Sequence, residues 1–100
     1  MKTRIFAALA DPTRRQILQE LKEGELTAGE IVSRFTMSGP AISRHLSILA
    51  TAGLVSARRE TNRIYYRVEP EPLADTLGEF LSAVCPTQIL HRRKKKGRTS

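Results

Sequence analysis

The sequence has 100 residues, of which 40% are apolar, and this size predicts one domain with a modest core. No apolar run approaches the length of about 20 residues that crosses a bilayer, so we expect a protein without a membrane partner. The single cysteine, Cys85, excludes an internal disulfide and is typical of a cytoplasmic protein, which lies in a reducing compartment.

The formal net charge of +7 is unevenly distributed along the chain. Residues 34–67 contain six arginines and one acidic residue, whereas residues 68–90 contain four acidic residues and no basic one. The last ten residues add six basic side chains, so we expect a folded domain at residues 1–90 and a disordered basic tail at residues 91–100. A basic block confined to one part of a domain is typical of nucleic-acid binding.

Helix start signals divide the first third of the chain into three short helices. The first covers residues 2–10 and is rich in apolar side chains. Asp11 is a good N-cap and Pro12 a good first-turn residue for the second helix. Thr27 and Glu30 have the spacing of a capping box, which predicts the start of the third helix.

A fourth helix, called here the recognition helix, is predicted within residues 37–49. Ile42, Leu46 and Leu49 recur at helical spacing and form an apolar stripe. The opposite face is polar and carries Arg44, and the helix contains no acidic residue, so the positive end of its dipole is free to meet a phosphate. A helix in the major groove of DNA and an ordinary amphipathic helix with a solvated face fit this stretch equally well.

A basic hairpin and a last helix complete the predicted elements. Gly53 is expected to end the recognition helix in a left-handed conformation. β-branched and aromatic side chains then predict strands over residues 56–59 and 63–68, with arginines at the tip and flanks of the hairpin. The chain after Pro72 has a wide apolar stripe at helical spacing, which predicts the last helix.

This order of elements is that of a winged helix-turn-helix, a mainly α fold with a small β-hairpin (α-α-α-α-β-β-α). The sequence also resembles the ArsR family of bacterial repressors, and is most similar to its metal-independent autorepressor (SdpR-like) branch. The stretches that carry this resemblance are residues 6–18, 27–31, 38–46, 52–55 and 58–59. The resemblance implies a homodimer that represses transcription by occupying a palindromic operator.

The resemblance also implies which residues of the recognition helix contact double-stranded DNA. These are Ser38, Gly39, Pro40, Ser43 and Arg44. Arg44 suits this role physically, because a guanidinium can bind O6 and N7 of guanine in a bidentate way. For His45, a base contact and a structural hydrogen bond near the hairpin both fit its place between the core and exposed faces.

The hairpin is predicted to act as a wing on the flanking DNA. Arg59 and Arg63 flank its turn and are placed to grip a minor groove or its phosphates, although a solubilising charged hairpin is the alternative. Relatives often have glycine where this chain has Thr61, so we expect a less tight turn in which Asn62 takes the left-handed conformation.

We expect the homodimer to form through the first and last helices, because both carry more apolar side chains than one small domain covers. The predicted interface residues are Ile5, Phe6, Leu9, Leu73, Leu77, Phe80, Leu81 and Val84. Cys85 continues the stripe of the last helix and suits buried packing, with a disulfide between subunits as the alternative.

We expect no metal site, cofactor or catalytic residue in this sequence. Metal-sensing relatives carry a Cys-x-Cys motif on the third helix, and the matching positions here are Thr27 and Gly29. The two histidines and the cysteine lie in unrelated contexts and assemble no nucleophile with a base, which argues against an enzyme. The alternative function is that of an RNA- or ribosome-associated basic winged-helix protein, and the sequence does not identify an inducer.

Overall fold

A computed structural model describes residues 2–87, which form five α-helices and a small antiparallel sheet. The helices are α1 (Lys2–Leu9), α2 (Pro12–Glu20), α3 (Ala28–Ser33), α4 (Gly39–Thr51) and α5 (Pro70–Val84). The strands are β1 (Leu26–Thr27), β2 (Val55–Glu60) and β3 (Arg63–Val68). This order confirms the predicted mainly α fold, while the predicted basic tail at residues 91–100 lies outside the described residues.

Local capping fixes where the helices begin. The Asp11 carboxylate accepts hydrogen bonds from the backbone N–H groups of Thr13 (2.8 Å) and Arg14 (3.1 Å), which are unpaired donors at the start of α2. The capping box at α3 is confirmed, because Thr27 Oγ1 accepts from the Glu30 N–H and Glu30 Oε1 accepts from the Thr27 N–H. These side chains set the helix boundaries without help from the rest of the fold.

The sheet contains one strand more than the sequence predicted. Its strand order is β1-β3-β2, and Leu26 of β1 pairs with Tyr66 of β3. Leu26 lies in this strand and directly precedes Thr27, the N-cap of α3. A strand of two residues has no measurable periodicity, and it forms here because β3 offers an edge to pair with. Through this pairing, the hairpin of β2 and β3 is attached to the start of α3.

The core lies between α1, α2, α3, α4 and the start of β2. Its buried side chains include the predicted apolar stripe of α4 and are Ile5, Ala8, Ile17, Leu18, Leu21, Ile31, Ile42, Leu46, Leu49, Leu54 and Val55. Burying a large aliphatic side chain of this kind contributes about 1.5–3 kcal/mol. Gly53 ends α4 with a positive φ of 81°, as predicted, and turns the chain from α4 into β2.

Helices α1 and α5 pack on each other through an aromatic pair. The rings of Phe6 and Phe80 meet edge to face, with centroids 5.5 Å apart. Three residues of the predicted dimer interface contribute to the monomer's own core: Ile5 is 6% exposed, and Leu9 and Leu73 pack against the core cluster. None of the helices in the described range is long and apolar enough to cross a membrane.

Candidate nucleic-acid interface

The exposed face of α4 presents the side chains from which a duplex contact can be built. Ile42, Leu46 and Leu49 are buried, so the opposite side of the helix is turned to solvent. Arg44 lies on that exposed side and makes no hydrogen bond or ion pair with any of residues 2–87. Its guanidinium is therefore available to an external acceptor. Thr51, two turns further along this face, is also exposed and was not predicted as a site residue.

The N-terminus of α4 is capped but keeps one open donor. The Ser38 hydroxyl accepts from the Ala41 N–H at 3.3 Å, and the Ser38 carbonyl accepts from the Ile42 N–H at 3.1 Å. Pro40 has no N–H, so the Gly39 N–H is the donor in this first turn that lacks a partner among the described residues. With no acidic residue in the turn, the positive end of the helix dipole can favour a phosphate there.

His45 contacts residues at the start of α2. Its Nδ1 is 3.3 Å from Arg14 Nη1 and 3.9 Å from the Asp11 carboxylate, and its side chain is 16% exposed. Of the two alternatives for His45, a base contact and a structural hydrogen bond near the hairpin, the structure thus shows a structural hydrogen-bond contact whose partner is on α2. Sequence spacing gave no signal for this contact, because Arg14 and His45 are 31 positions apart.

Two of the four arginines of the hairpin are engaged by acidic residues. Arg58 donates to both carboxylate oxygens of Glu25 (3.0 and 2.8 Å), pairs with Glu60 and stacks on the Tyr65 ring. Arg67 pairs with Glu69 at 3.1 Å. These contacts engage both guanidinium groups, so Arg58 and Arg67 are not free cations of the wing.

The other two arginines flank the tip of the wing and remain unpaired. Arg59 lies opposite Ile64, and Arg63 lies opposite Glu60, at the ends of β2 and β3. Neither guanidinium forms a hydrogen bond or an ion pair within residues 2–87. Arg59 and Arg63 are thus available at the tip, whereas Arg58 and Arg67 are engaged by acidic residues.

The wing turn differs from the predicted one. Thr61 has a positive φ of 58°, whereas Asn62 does not. The prediction that Asn62 takes the left-handed conformation is therefore wrong, and Thr61 takes it instead. A positive φ at the first turn position and a negative φ at the second is the pattern of a type II′ hairpin turn, in which glycine is preferred first. A β-branched residue at this position is strained.

We therefore expect Thr61→Gly to raise the melting temperature. The strain at Thr61 lowers the free energy of unfolding by about 1–3 kcal/mol, and glycine relieves it. Glycine also raises the conformational entropy of the unfolded chain, which offsets about 0.5–1 kcal/mol of this stabilisation. Asn62→Gly is the matched control, because Asn62 has no positive φ to relieve and should only lose stability. Thermal unfolding of the two variants beside wild type checks this, and an unchanged or lower melting temperature for Thr61→Gly would contradict it.

The ion pair between Glu25 and Arg58 predicts a dependence of stability on pH. The hydrogen bond from Arg58 holds the pKa of Glu25 below its ordinary value of 4.5. A carboxylate whose pKa is lowered by folding stabilises the protein above its unfolded pKa, and this contribution disappears as the pH falls through the folded pKa.

Accordingly, wild type should melt above Glu25→Gln at pH 7, and the two melting temperatures should converge below pH 4.5. Glu23→Gln is the control, since Glu23 makes no ion pair with the described residues. Its removal should not alter how the melting temperature depends on pH. A difference in melting temperature between wild type and Glu25→Gln that stays constant from pH 7 to pH 3 would contradict the assignment. Melting curves over that range measure this difference.

An exposed apolar surface, the α1–α5 surface, is formed by Phe6, Phe80, Leu81 and Val84. Phe80 is 51% exposed and Val84 is 61% exposed, although both are large apolar side chains. The contact between Phe6 and Phe80 makes the surface continuous across the two helices. Contiguous exposed apolar side chains are typical of interaction surfaces.

The residues at the positions of the Cys-x-Cys motif have structural roles or no donor atom. Thr27 caps α3 with its hydroxyl, and Gly29 has no side chain. Within residues 2–87, no group of three or more histidine, cysteine, aspartate or glutamate side chains is arranged so that it could hold a metal ion. Cys85 ends α5 and is half-buried with a free thiol.

Comparison with known proteins identifies the family. The model of the family described as "Bacterial regulatory protein, arsR family" matches residues 11–57, which span α2, the helix-turn-helix of α3 and α4, and the start of β2. The transcriptional repressor SdpR of Bacillus subtilis (strain 168) is 42% identical over 80 residues, which are 80% of this chain and 89% of that protein. This chain belongs to the arsR family.

Other regulators are similar in sequence or in fold. A probable mercury resistance operon repressor of Streptomyces lividans is 46% identical over 72 residues, which are 72% of this chain and 58% of the relative. The solved structure of an ArsR-like transcriptional regulator from Rhodococcus sp. RHA1 superposes with a TM-score of 0.74 at 31% identity, and covers 98% of this chain and 90% of that one. The fold is therefore a winged helix-turn-helix and the chain a DNA-binding transcriptional regulator, not the RNA-associated protein of the alternative hypothesis.

Proposed function

We propose that this arsR-family protein is a cytoplasmic, non-enzymatic repressor that binds a palindromic operator as a homodimer. The observation that carries the proposal is the pairing state of Arg44. It stands unpaired on the acid-free face of a helix whose other side is buried. That arrangement offers a cation to a groove while the core holds the helix rigid.

Each element of the interface has a distinct role in this proposal. Arg44 and Ser43 contact base edges in the major groove, while the Gly39 N–H and the Ser38 hydroxyl bind a phosphate at the groove entry. Pro40 packs at the same entry. Arg59 and Arg63 bind the flanking minor groove or its phosphates, with Thr61 and Asn62 at the closest approach. His45 is given no DNA contact in this proposal, since its Nδ1 lies 3.3 Å from Arg14 Nη1.

A homodimer places two recognition helices on one face of the duplex. The α1–α5 surface is apolar and exposed, and side chains of two helices form it. In a homodimer whose twofold axis passes beside this surface, the surface of one subunit is buried against the same surface of the other. Leu77 is half-buried and is assigned to the same interface, whereas Ile5, Leu9 and Leu73 pack in or against the core of each subunit. Two α4 helices about one DNA turn apart then match a palindromic operator.

Operator binding should be insensitive to thiophilic metals. Thr27 and Gly29 supply no thiolate, so zinc, nickel, cadmium and arsenite find no site at the position of the Cys-x-Cys motif. Titration of each metal into the protein–operator complex, followed by fluorescence anisotropy, should leave the affinity unchanged. A loss of affinity that a chelator reverses would contradict this prediction.

The experiment that tests the proposed function is selection from a random duplex library with the purified protein. We expect enrichment of an inverted repeat, and we expect the selected duplex to outcompete a structured RNA of equal length and charge. Enrichment of no sequence, or equal competition by the RNA, would contradict a sequence-specific repressor.

A further inference from the structure

One arginine outside the proposed DNA surface contacts three helices at once. Arg14, in the first turn of α2, donates from Nε to the Ala8 carbonyl (2.8 Å) and from Nη2 to the Ala7 carbonyl (3.1 Å) at the end of α1. Its remaining nitrogen, Nη1, lies 3.3 Å from Nδ1 of His45 on α4. The guanidinium therefore joins the end of α1, the start of α2 and the middle of α4.

The contacts of Arg14 with α1 and with His45 are called here the bridge. Hydrogen-bond chemistry determines the geometry of this bridge. A guanidinium only donates hydrogen bonds, so His45 must accept through Nδ1 and carry its proton on Nε2. The planar fork of Arg14 aims its three nitrogens at fixed angles, which a lysine ammonium does not reproduce. The carboxylate of Asp11, 3.9 Å from Nδ1, closes the cluster from the α2 side, and His45 is largely buried within it.

The position of the bridge matters because of what α1 and α4 carry. Helix α1 contributes Phe6 to the α1–α5 surface, where the proposed homodimer forms, and α4 contributes Arg44 to the DNA surface. The placement of α4 relative to α1 therefore sets the distance between the two recognition helices of a dimer. Neighbouring Arg15 provides a contrast, since it donates to the Leu9 carbonyl of α1 at 2.7 Å and makes no hydrogen bond to α4.

We propose that Arg14 and His45 are positioning residues that hold the recognition helix at a fixed place relative to the dimer surface, and so determine which half-site separation the dimer accepts. The inference rests on the proposed function, since it requires a homodimer on a two-part operator. It differs from a general role in stability, because it predicts a change in the preferred DNA and not only a weaker protein.

Two pairs of variants distinguish loss of the contact between Arg14 and His45 from loss of the other contacts near it. Arg14→Met and Arg15→Met each remove one guanidinium that caps α1, with the same change in charge, but only the first breaks the link to α4. His45→Leu removes the acceptor, whereas His45→Asn keeps an acceptor oxygen near the place of Nδ1.

The experiment measures the affinity of each variant for random DNA and for a series of duplexes that carry the selected inverted repeat with half-site separations varied by single base pairs. Wild type should prefer one separation. Arg14→Met and His45→Leu should accept neighbouring separations nearly as well, and their ratio of operator to random affinity should fall by about tenfold. Arg15→Met and His45→Asn should keep the wild-type profile.

The outcomes distinguish the inference from the proposed function. If wild type prefers no half-site separation, the proposal of a dimer on a palindromic operator is wrong, and the inference about Arg14 and His45 is wrong as well. If wild type prefers one separation and Arg14→Met and His45→Leu keep both that preference and the affinity ratio, the dimer stands and the inference is overturned. A purely structural role would lower the melting temperature and weaken binding to all duplexes by one factor with the separation profile unchanged, and that result also overturns it.

Discussion

Replacing Arg44 by alanine is expected to weaken operator binding by about 1–3 kcal/mol for each half-site and to relax specificity at one base pair there. The reason is that Arg44 is exposed on α4, forms no ion pair within the described residues and has the fork that guanine O6 and N7 accept. Fluorescence anisotropy on the selected operator, on single-base variants of each half-site and on random DNA measures both effects.

The matched control is Arg59→Ala on the wing. Arg59 is also an exposed, unpaired arginine, but it flanks the tip of the hairpin and is assigned to phosphates or the minor groove. Its loss should weaken all duplexes by similar factors and lower the salt dependence of binding. If Arg44→Ala behaves in the same uniform way, Arg44 contacts only the backbone of the DNA.

The second large effect is expected from Phe80→Glu on the α1–α5 surface. A carboxylate at this position meets its own copy and the apolar side chains across a twofold interface, and both unpaired burial and like charges oppose association. The variant should be monomeric at micromolar concentration. Its operator affinity should fall by about 10²–10⁴-fold, because the second half-site is no longer bound intramolecularly.

Ser82→Glu adds the same charge on the opposite face of α5 and serves as the control. Ser82 is exposed and lies half a helical turn away from Phe80 and Val84. This variant should remain dimeric and bind the operator as wild type does. Light scattering gives both masses, and a Phe80→Glu protein that stays dimeric would remove the α1–α5 surface from the proposal.

Local signals in the sequence were sufficient to predict the helix-turn-helix. The caps at Asp11, Thr27 and Ser38 act within three residues of the groups that they satisfy, so their spacing is visible in the chain itself. The apolar stripe of α4 is equally local, because the helical period determines which side faces the core. The exposed side, with Arg44, follows directly from the buried side.

Contacts between distant residues could not be predicted in the same way. Arg58 and Glu25 are 33 positions apart, and only the pairing of β1 with β3 brings the loop before α3 beside the wing. Nothing local distinguished Arg58, which is ion-paired, from Arg59, which is free. The bridge between Arg14 and His45 depends in the same way on how α2 and α4 pack.

An apolar stripe also does not say which partner covers it. Ile5 and Phe6 are neighbours on α1, yet Ile5 is buried in the monomer and Phe6 is 39% exposed. Hydrophobicity alone assigned both to the dimer interface, because core and interface positions have the same composition. The packing of α1 against α2 and α4 separates them, and the sequence does not encode that packing locally.

The central claim is that two copies of this chain place their α4 helices on two symmetric half-sites of one duplex. Hydroxyl-radical footprinting of the selected operator, combined with the protein-to-DNA stoichiometry from analytical ultracentrifugation, tests it most directly. The proposal predicts two chains per duplex and two equivalent protected segments, related by twofold symmetry and centred about 10 base pairs or a multiple of that distance apart. One chain per duplex, or a single protected segment without symmetry, would contradict it.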